Sequence, residues 1–355
     1  MAKIHFLNVG NGDCTIIEHN SKRISMIDIC NGNTNDTSLC NPISYLRKLQ
    51  KLDFKKRGKL FRFILTHPDM DHLDGIKNLN KNFSITNFWD TQHSKTMEEV
   101  SKESQYTQDD WDYYNKIHNE KNTDVRRMIL YRGSKDKFYL EDNIQIISPT
   151  KKLISELNKS TNPNWNDASY VLLFKSHERK ILFCGDSGNT SWKHIIGDKE
   201  TRKNIQEKNH TERTDEEKEI LENITMLKDI DILFAPHHGR KSGGDTLNEY
   251  LDFLNPKLAV LGSAPSKHKN YDAFHNRNIP IITNDEAGNI IFNITSSKIQ
   301  ITCDDNRTLK DIFNSKSKPI TRPEYVNAWS NTFKHFGQEV KFCKDENDNP
   351  KAFYI

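Results

Sequence analysis

The segment LTHPDMDHLDG, residues 65–75, constrains this chain more than any other stretch. It sets four metal-capable side chains, His67, Asp69, Asp71 and His72, within six positions, directly after the apolar run LFRFIL. A strand ending at Thr66 delivers these groups onto one tight loop, and Pro68 narrows that loop's backbone choices. The competing reading is a capping loop whose carboxylates accept backbone N–H groups. One loop cannot enclose two ions, so a metal centre needs partners from elsewhere in the chain.

Two later segments offer them in equivalent places. In ILFCGDSG an apolar run ends at Gly185–Asp186, and in DILFAPHHGRKSG another ends at Pro236–His237–His238–Gly239. Three strands, each with His or Asp at its C-terminal tip, are what a convergent site requires. Imidazoles mixed with carboxylates and no thiolate suit Zn²⁺ or Mn²⁺ over softer ions.

The 355 residues allow one large domain or two ordinary ones, and the formal charge of +3 decides neither for nor against a nucleic-acid partner. None of the six cysteines forms a CxxC pair, and three sit in apolar strand-like runs, as reduced buried thiols do. The opening MAKIHFLNVGNGD enters a strand without a signal peptide, and no apolar run approaches spanning length, so a cytoplasmic protein without a membrane partner is expected.

Strands are predicted at KIHFLNV, CTIIEH, RISMIDI, LFRFILTH, FYLEDNIQIISP, YVLLF, KILFC, DILFA, PKLAVLGS, IPIITND and GNIIFNI. Helices are predicted near 42–57, after an N-cap at Asp74, and near 270–277. A hairpin turn falls at Ser176–Glu178. Residues 94–135 and 197–228 are polar and read as two helical insertions, the second a solvated helix. One domain over 1–303 and an extension over 304–355 follow. Strands in both halves with helices between them suit an α/β chain, two sheets packed face to face and covered by helices outside, an α/β/β/α sandwich.

HxDxDH after a strand, a Gly–Asp strand end and a later His–His–Gly resemble the metallo-β-lactamase superfamily. Within it the chain is most similar to the nuclease-like domain of the competence protein ComEC and its stand-alone relatives. FLNVGNGDCTIIE is similar to that group's FLDVGQGDA opening, ISMIDIC to its strand ending in an aspartate (here Asp28), and NDASYVLLF to its N-x-x-S-x-V-L segment. IPIITNDEAGNIIF is similar to its closing strand pair. The likeness spans about residues 3–295. Asn8 departs from the opening aspartate, and the superfamily's middle histidine has only His93 as a candidate.

The resemblance implies two divalent ions, Zn²⁺ or Mn²⁺. His67 and Asp69 would hold one, Asp71 and His72 the other, and Asp186 would bridge them. One of His237 and His238 would complete the second site, the other standing behind it or facing substrate. Such a pair can bind a water as a bridging hydroxide and stabilise attacking and leaving oxygens, with Asp71 receiving or orienting its proton. Lys241 and Ser242 after the His–His–Gly turn, and Asn166 with Ser169 before Asp186, are the candidates for substrate oxygens. His238 and Lys241 are counted with Asp71 in the catalytic group.

A phosphodiester, with DNA or RNA preferred, is the expected substrate. A small phosphodiester or lactone, or a binding module without turnover, are the alternatives. The basic run RKLQKLDFKKRGK precedes the strand whose far end carries His67, about 23–26 Å away at strand rise. It reads as a solvated helix and turn. The aromatic and basic residues Trp111, Tyr113, Tyr114, Arg126, Arg127, Tyr131 and Arg132 could stack bases, or could form the core face of a helical lid.

Overall fold

The computed structural model describes residues 1–31, 36, 38–53, 55–96, 104–121, 124–135, 137–241 and 247–304, and the backbone of 343–344 and 350–354. The strands are β1 (Ala2–Phe6), β2 (Thr15–Glu18), β3 (Ile24–Ile27), β4 (Gly58–Ile64), β5 (Phe83–Asp90), β6 (Arg126–Ile129), β7 (Ile144–Ser148), β8 (Val171–Ser176), β9 (Arg179–Phe183), β10 (Ile232–Phe234), β11 (Leu258–Leu261), β12 (Ile281–Thr283), β13 (Ile290–Ile294), β14 (Ile299–Cys303), β15 (Cys343–Lys344) and β16 (Pro350–Tyr354). They form a ten-stranded sheet, β15-β16-β14-β13-β1-β2-β3-β4-β5-β6, and a six-stranded sheet, β12-β11-β10-β9-β8-β7. Each is mixed: β3 to β6 and β9 to β12 run parallel, the other pairings antiparallel.

Strand alternation explains why both sheets are covered on both faces. Along β8, Leu172 and Phe174 face the other sheet, while Val171 and Leu173 face outer helices. The same two-residue period sends Ile181, Phe183, Ile232 and Phe234 inward and Leu182, Cys184, Leu233 and Ala235 outward. Ile4, Phe6, Ile17, Ile64, Trp89 and Phe292 of the first sheet meet that inner layer. The apolar runs are therefore continuous, as in sheets buried on both sides. The outer face of the first sheet packs under α1 (Pro42–Leu49), α2 (Met70–Leu73), α3 (Ile76–Asn82) and α4 (Gln108–His118). Helices α5 (Lys137–Glu141) and α6 (Lys151–Lys159) flank β7, and the second sheet packs under α7 (Asn189–Ile196), α10 (Leu247–Leu254) and α11 (Tyr271–His275). This is the expected α/β sandwich of two mixed sheets.

Several local expectations are corrected. Asp74 does not cap the start of a helix: it closes the single turn of α2, and α3 begins after Gly75. The 94–135 segment is not an appendage, because α4 buries Trp111, Tyr114 and Ile117 and Arg126–Ile129 adds a parallel strand beside β5. Its aromatics are thus a helix's core face rather than a base-stacking surface. Arg127 and Arg132 are also consumed internally, by Asp90 and by the carbonyls of Ile147 and His194. The 197–228 stretch holds α8 (Lys199–Glu207) and α9 (Asp215–Met226), the latter started by a Thr214/Glu217 capping box. The hairpin between β8 and β9 turns at His177–Glu178, with His177 at φ 52°. Beyond residue 303, β16 pairs antiparallel with β14, so the extension's end joins the first sheet. In the basic run, Arg47 and Arg57 bond backbone carbonyls of Asp53, Lys56 and Asn80, and its described lysines are exposed. Among the described residues no helix is long and apolar enough to cross a membrane.

Candidate metal centre

Strand register aligns the ligand-bearing tips. Ile27 pairs with Ile64, and Phe183 with Phe234, so Asp28 comes level with the end of β4, and Gly185 with Pro236. Backbone bonds then sew the loops together: His237 N–H donates to Gly185 O (2.9 Å), and Tyr170 N–H crosses between sheets to Thr66 O (3.0 Å). The β1–β2 turn closes from the side, Asp13 N–H donating to Asp71 O (3.2 Å). That approach requires glycine at position 12, where a Cβ would lie 2.5 Å from Asp71 O and 2.4 Å from Cys30 Cβ.

Asp186 is the hub. Its Oδ2 lies 3.9 Å from His67 Nε2 and 3.6 Å from His237 Nε2. Its Oδ1 lies 3.4 Å from His72 Nε2 and 3.8 Å from His238 Nε2. The flanking carboxylates divide in the same way. Asp69 Oδ1 is 3.7 Å from His67 Nε2, whereas Asp71 Oδ2 is 3.8 Å from His72 Nε2 and 3.6 Å from His238 Nε2. The structure thus gathers two half-sites, His67–Asp69–His237 and Asp71–His72–His238, on opposite oxygens of one carboxylate.

The imidazoles are aimed by their other nitrogens. His72 Nδ1–H donates to Asp28 Oδ2 (2.8 Å), and Asp28 also accepts the Thr66 N–H and hydroxyl (both 2.7 Å). Since that hydroxyl donates to Asp28, its lone pair accepts from His67 Nδ1–H (3.1 Å). His238 Nδ1 faces Asp13 Oδ1 at 3.2 Å. When neutral, His67 and His72 therefore present a bare Nε2 toward Asp186, the tautomer a metal ligand needs, while His238 Nδ1 stands beside Asp13 without a hydrogen bond. Asp186 itself is fixed by its N–H, which donates to Ser169 Oγ (3.1 Å). The loop of the last two histidines is strained: His237 and His238 have φ of 51° and 55°, in the left-handed region.

The residues fit divalent cations. His67 Nε2, His72 Nε2 and Asp186 Oδ1 are buried without a hydrogen-bond partner, a costly state for polar atoms unless something cationic is bound among them. Charge tells the same story. Burial opposes protonation of His238, yet Asp13 and Asp186 push its imidazole up to about 10. Burial likewise opposes the Asp186 carboxylate, yet His72 and His238 hold it well below the usual range. A pocket so rich in carboxylate draws positive charge wherever it can. Its open side is formed by Asp69 and Asp71, whose side chains are 33% and 28% exposed, while His67, His72 and His238 are buried.

Several sequence candidates land differently. Both His237 and His238 turn Nε2 to Asp186, one toward each oxygen of that carboxylate. Ser169 is fully buried under Asp186 and cannot meet substrate, its hydroxyl being used on the backbone. Asn166 is half-buried on the turn before it, and Lys241 is exposed beyond the His–His–Gly turn. Ser242 lies outside the described residues. His93 does not reach the centre: it is buried in a separate network with Tyr114, His118 and Asp90.

Two residues at the centre were missed in the sequence, Asp13 and Lys95. Asp13 sits in a glycine turn that reads as a rim, and only the turn's fold-over places it against His238. Lys95 pairs with Asp69 and has no sequence signal of its own.

No protein-family model matches the chain, and no curated protein matches it. Among solved structures it is similar to a metallo hydrolase from the hyperthermophilic archaeon Ignicoccus hospitalis, at 10% identity over 82% of this chain and 100% of that one, TM-score 0.44. It is also similar to a metal-dependent hydrolase of the β-lactamase superfamily, at 13% identity over 80% and 96%, TM-score 0.42. A third likeness is to CmlA, a diiron β-hydroxylase from Streptomyces venezuelae, at 12% identity over 72% and 44%, TM-score 0.36.

Proposed function

We propose that this chain is a binuclear metal-dependent hydrolase of the metallo-β-lactamase type acting on phosphodiesters. The observation that carries the reading is Asp186, with one oxygen toward His67 and His237 and the other toward His72 and His238. Divalent ions held by these groups would acidify a water and offset negative charge on the attacking and leaving oxygens of a phosphodiester.

The chain's own residues supply the rest. Asp28 and Thr66 hold the His72 and His67 imidazoles by their Nδ1 atoms, which leaves Nε2 free for the ions, and Asp13 faces His238 Nδ1. Asp71, partly open and between His72 and His238, is the carboxylate best placed to take the proton of the attacking water. Lys241, exposed just after the His–His–Gly turn, would offer a cation to a substrate phosphate.

A nucleic acid is the polymer suggested by the ComEC-like opening, strand-end aspartate and N-x-x-S segment. A small phosphodiester or lactone is the second reading, favoured by the burial of Trp111, Tyr114 and Tyr131, which removes the expected base-stacking surface. Purified protein with Mn²⁺ or Zn²⁺ is to be tested on single- and double-stranded DNA, RNA and bis(p-nitrophenyl) phosphate. Metal-dependent cleavage of a polymer, lost in Asp186→Ala, is expected. Cleavage of the small ester or of an added lactone, with every polymer intact, selects the second reading, and no metal-dependent hydrolysis of any of these substrates overturns both.

A further inference from the structure

Lys95 stands out because of the atom it takes. Its ammonium pairs with Asp69 Oδ1, the same oxygen that lies 3.7 Å from His67 Nε2 and would serve the first half-site. The Asp71–His72–His238 half has no lysine or arginine paired with its carboxylate among the described residues; the His72 and His238 imidazoles face that carboxylate.

The lysine is delivered by an anchored strap, not by a loose loop. After β5, the Gln92 N–H donates to Tyr131 OH (3.1 Å), and Ser94 N–H to Asn158 Oδ1 (2.8 Å). Asn158 Nδ2 returns a bond to Gln92 O (2.9 Å). Lys95 N–H donates to His93 Nδ1 (3.0 Å), which puts the His93 proton on Nε2, against Tyr114 OH; that hydroxyl in turn donates to Asp90 Oδ1 (3.1 Å). His93 is therefore a positioning residue for Lys95. The strap brings a fixed positive charge to one half of the centre only.

We propose that Lys95 competes with a divalent ion for Asp69, so that the two half-sites load unequally. The His72–His238 half binds first, and the His67–His237 half fills only as the lysine is displaced toward the open rim. This rests on the metal-centre reading above. The physical basis is that a unit positive charge within a few ångströms of a cation site opposes its occupation, and does so strongly where water is scarce.

The test is Mn²⁺ titration of the full chain, free Mn²⁺ being read by its electron paramagnetic resonance signal. Wild type is expected to bind one ion tightly and a second more weakly. Lys95→Met should tighten the second site by about tenfold or more and leave the first nearly unchanged. Lys95→Arg, which keeps the charge, should leave the second site weak, separating competition from loss of packing. Lys95→Gln serves in place of Lys95→Met if melting of the metal-free proteins shows that variant unfolded. Equal weak-site constants in wild type and the neutral variant, or equal tightening of both sites, overturn the competition while leaving the centre standing. Absence of stoichiometric Mn²⁺ binding in all proteins, with no further loss in Asp186→Asn, overturns the centre and the competition together.

Discussion

Replacing Asp28 by asparagine isolates how the centre's imidazoles are aimed. Asp28 sits at φ 56°, a left-handed conformation asparagine tolerates well, and the side chain keeps its size. The Thr66 N–H can only donate, so the new amide must turn its oxygen there. Its NH₂ then faces the Thr66 hydroxyl and His72 Nδ1, the two groups now bonded to Asp28 Oδ2. An NH₂ cannot accept, so His72 Nδ1 must, and the ring proton moves to Nε2, the atom that points at Asp186. Losing a partner of this kind lowers metal affinity about 10–100-fold, which is about 1.4–2.7 kcal/mol. Folding stability should change far less, by about 1 kcal/mol or less, because burial already pushes the Asp28 carboxyl up and a neutral amide escapes that desolvation. Metal titration by calorimetry, urea melts with chelator present, and long-range ¹H–¹⁵N spectra of the His72 ring measure the three quantities. Unchanged affinity in Asp28→Asn, with the His72 proton still on Nδ1, would refute the reasoning.

Two further outcomes are expected. In Gly262→Ala the new Cβ would lie 2.6 Å from His238 Nδ1 and 2.9 Å from Asp13 Oδ1, so His238 must move. Metal affinity should drop with a stability loss of about 1–3 kcal/mol, and a variant that binds Mn²⁺ like wild type would show that His238 is not held there. Separately, burial drives the His19 imidazole from 6.5 down to about 3. The folded state therefore holds fewer protons than the unfolded one between those values. His19's contribution is fully present above pH 6.5 and is lost as pH falls toward 3, at up to about 1.4 kcal/mol per pH unit. Urea melts in chelator at pH 6.5, 5.5 and 4.5 should show His19→Gln with a flatter acid limb; parallel limbs would count against a buried neutral imidazole.

Much of the site was legible because its parts are local. HPDMDH, GDSG and PHHG each end an apolar run, and a strand's C-terminal tip is where a parallel sheet presents side chains. The layer architecture was legible for a similar reason: apolar runs buried on both faces need helices outside each sheet. The misreadings share a cause too. His93 and Ser169 carry the right chemistry near the right segments, but which way each side chain turns depends on partners distant in the chain, Tyr114 for one and the Asp186 backbone for the other. The aromatics of 106–131 were ambiguous because composition does not say which face of α4 is covered.

By itself, then, the amino-acid order determined that three strand tips carry imidazoles and carboxylates, and that two covered sheets bring them to one end. Only the tertiary structure decided the division of labour. Register and loop closure set which oxygen of Asp186 faces which pair, put Asp13 behind His238, and brought a lysine from the strap after β5 onto Asp69. The reason is that ligand identity is a property of residues, whereas ligand orientation, tautomer and competing charge are properties of contacts between segments that the chain order keeps far apart.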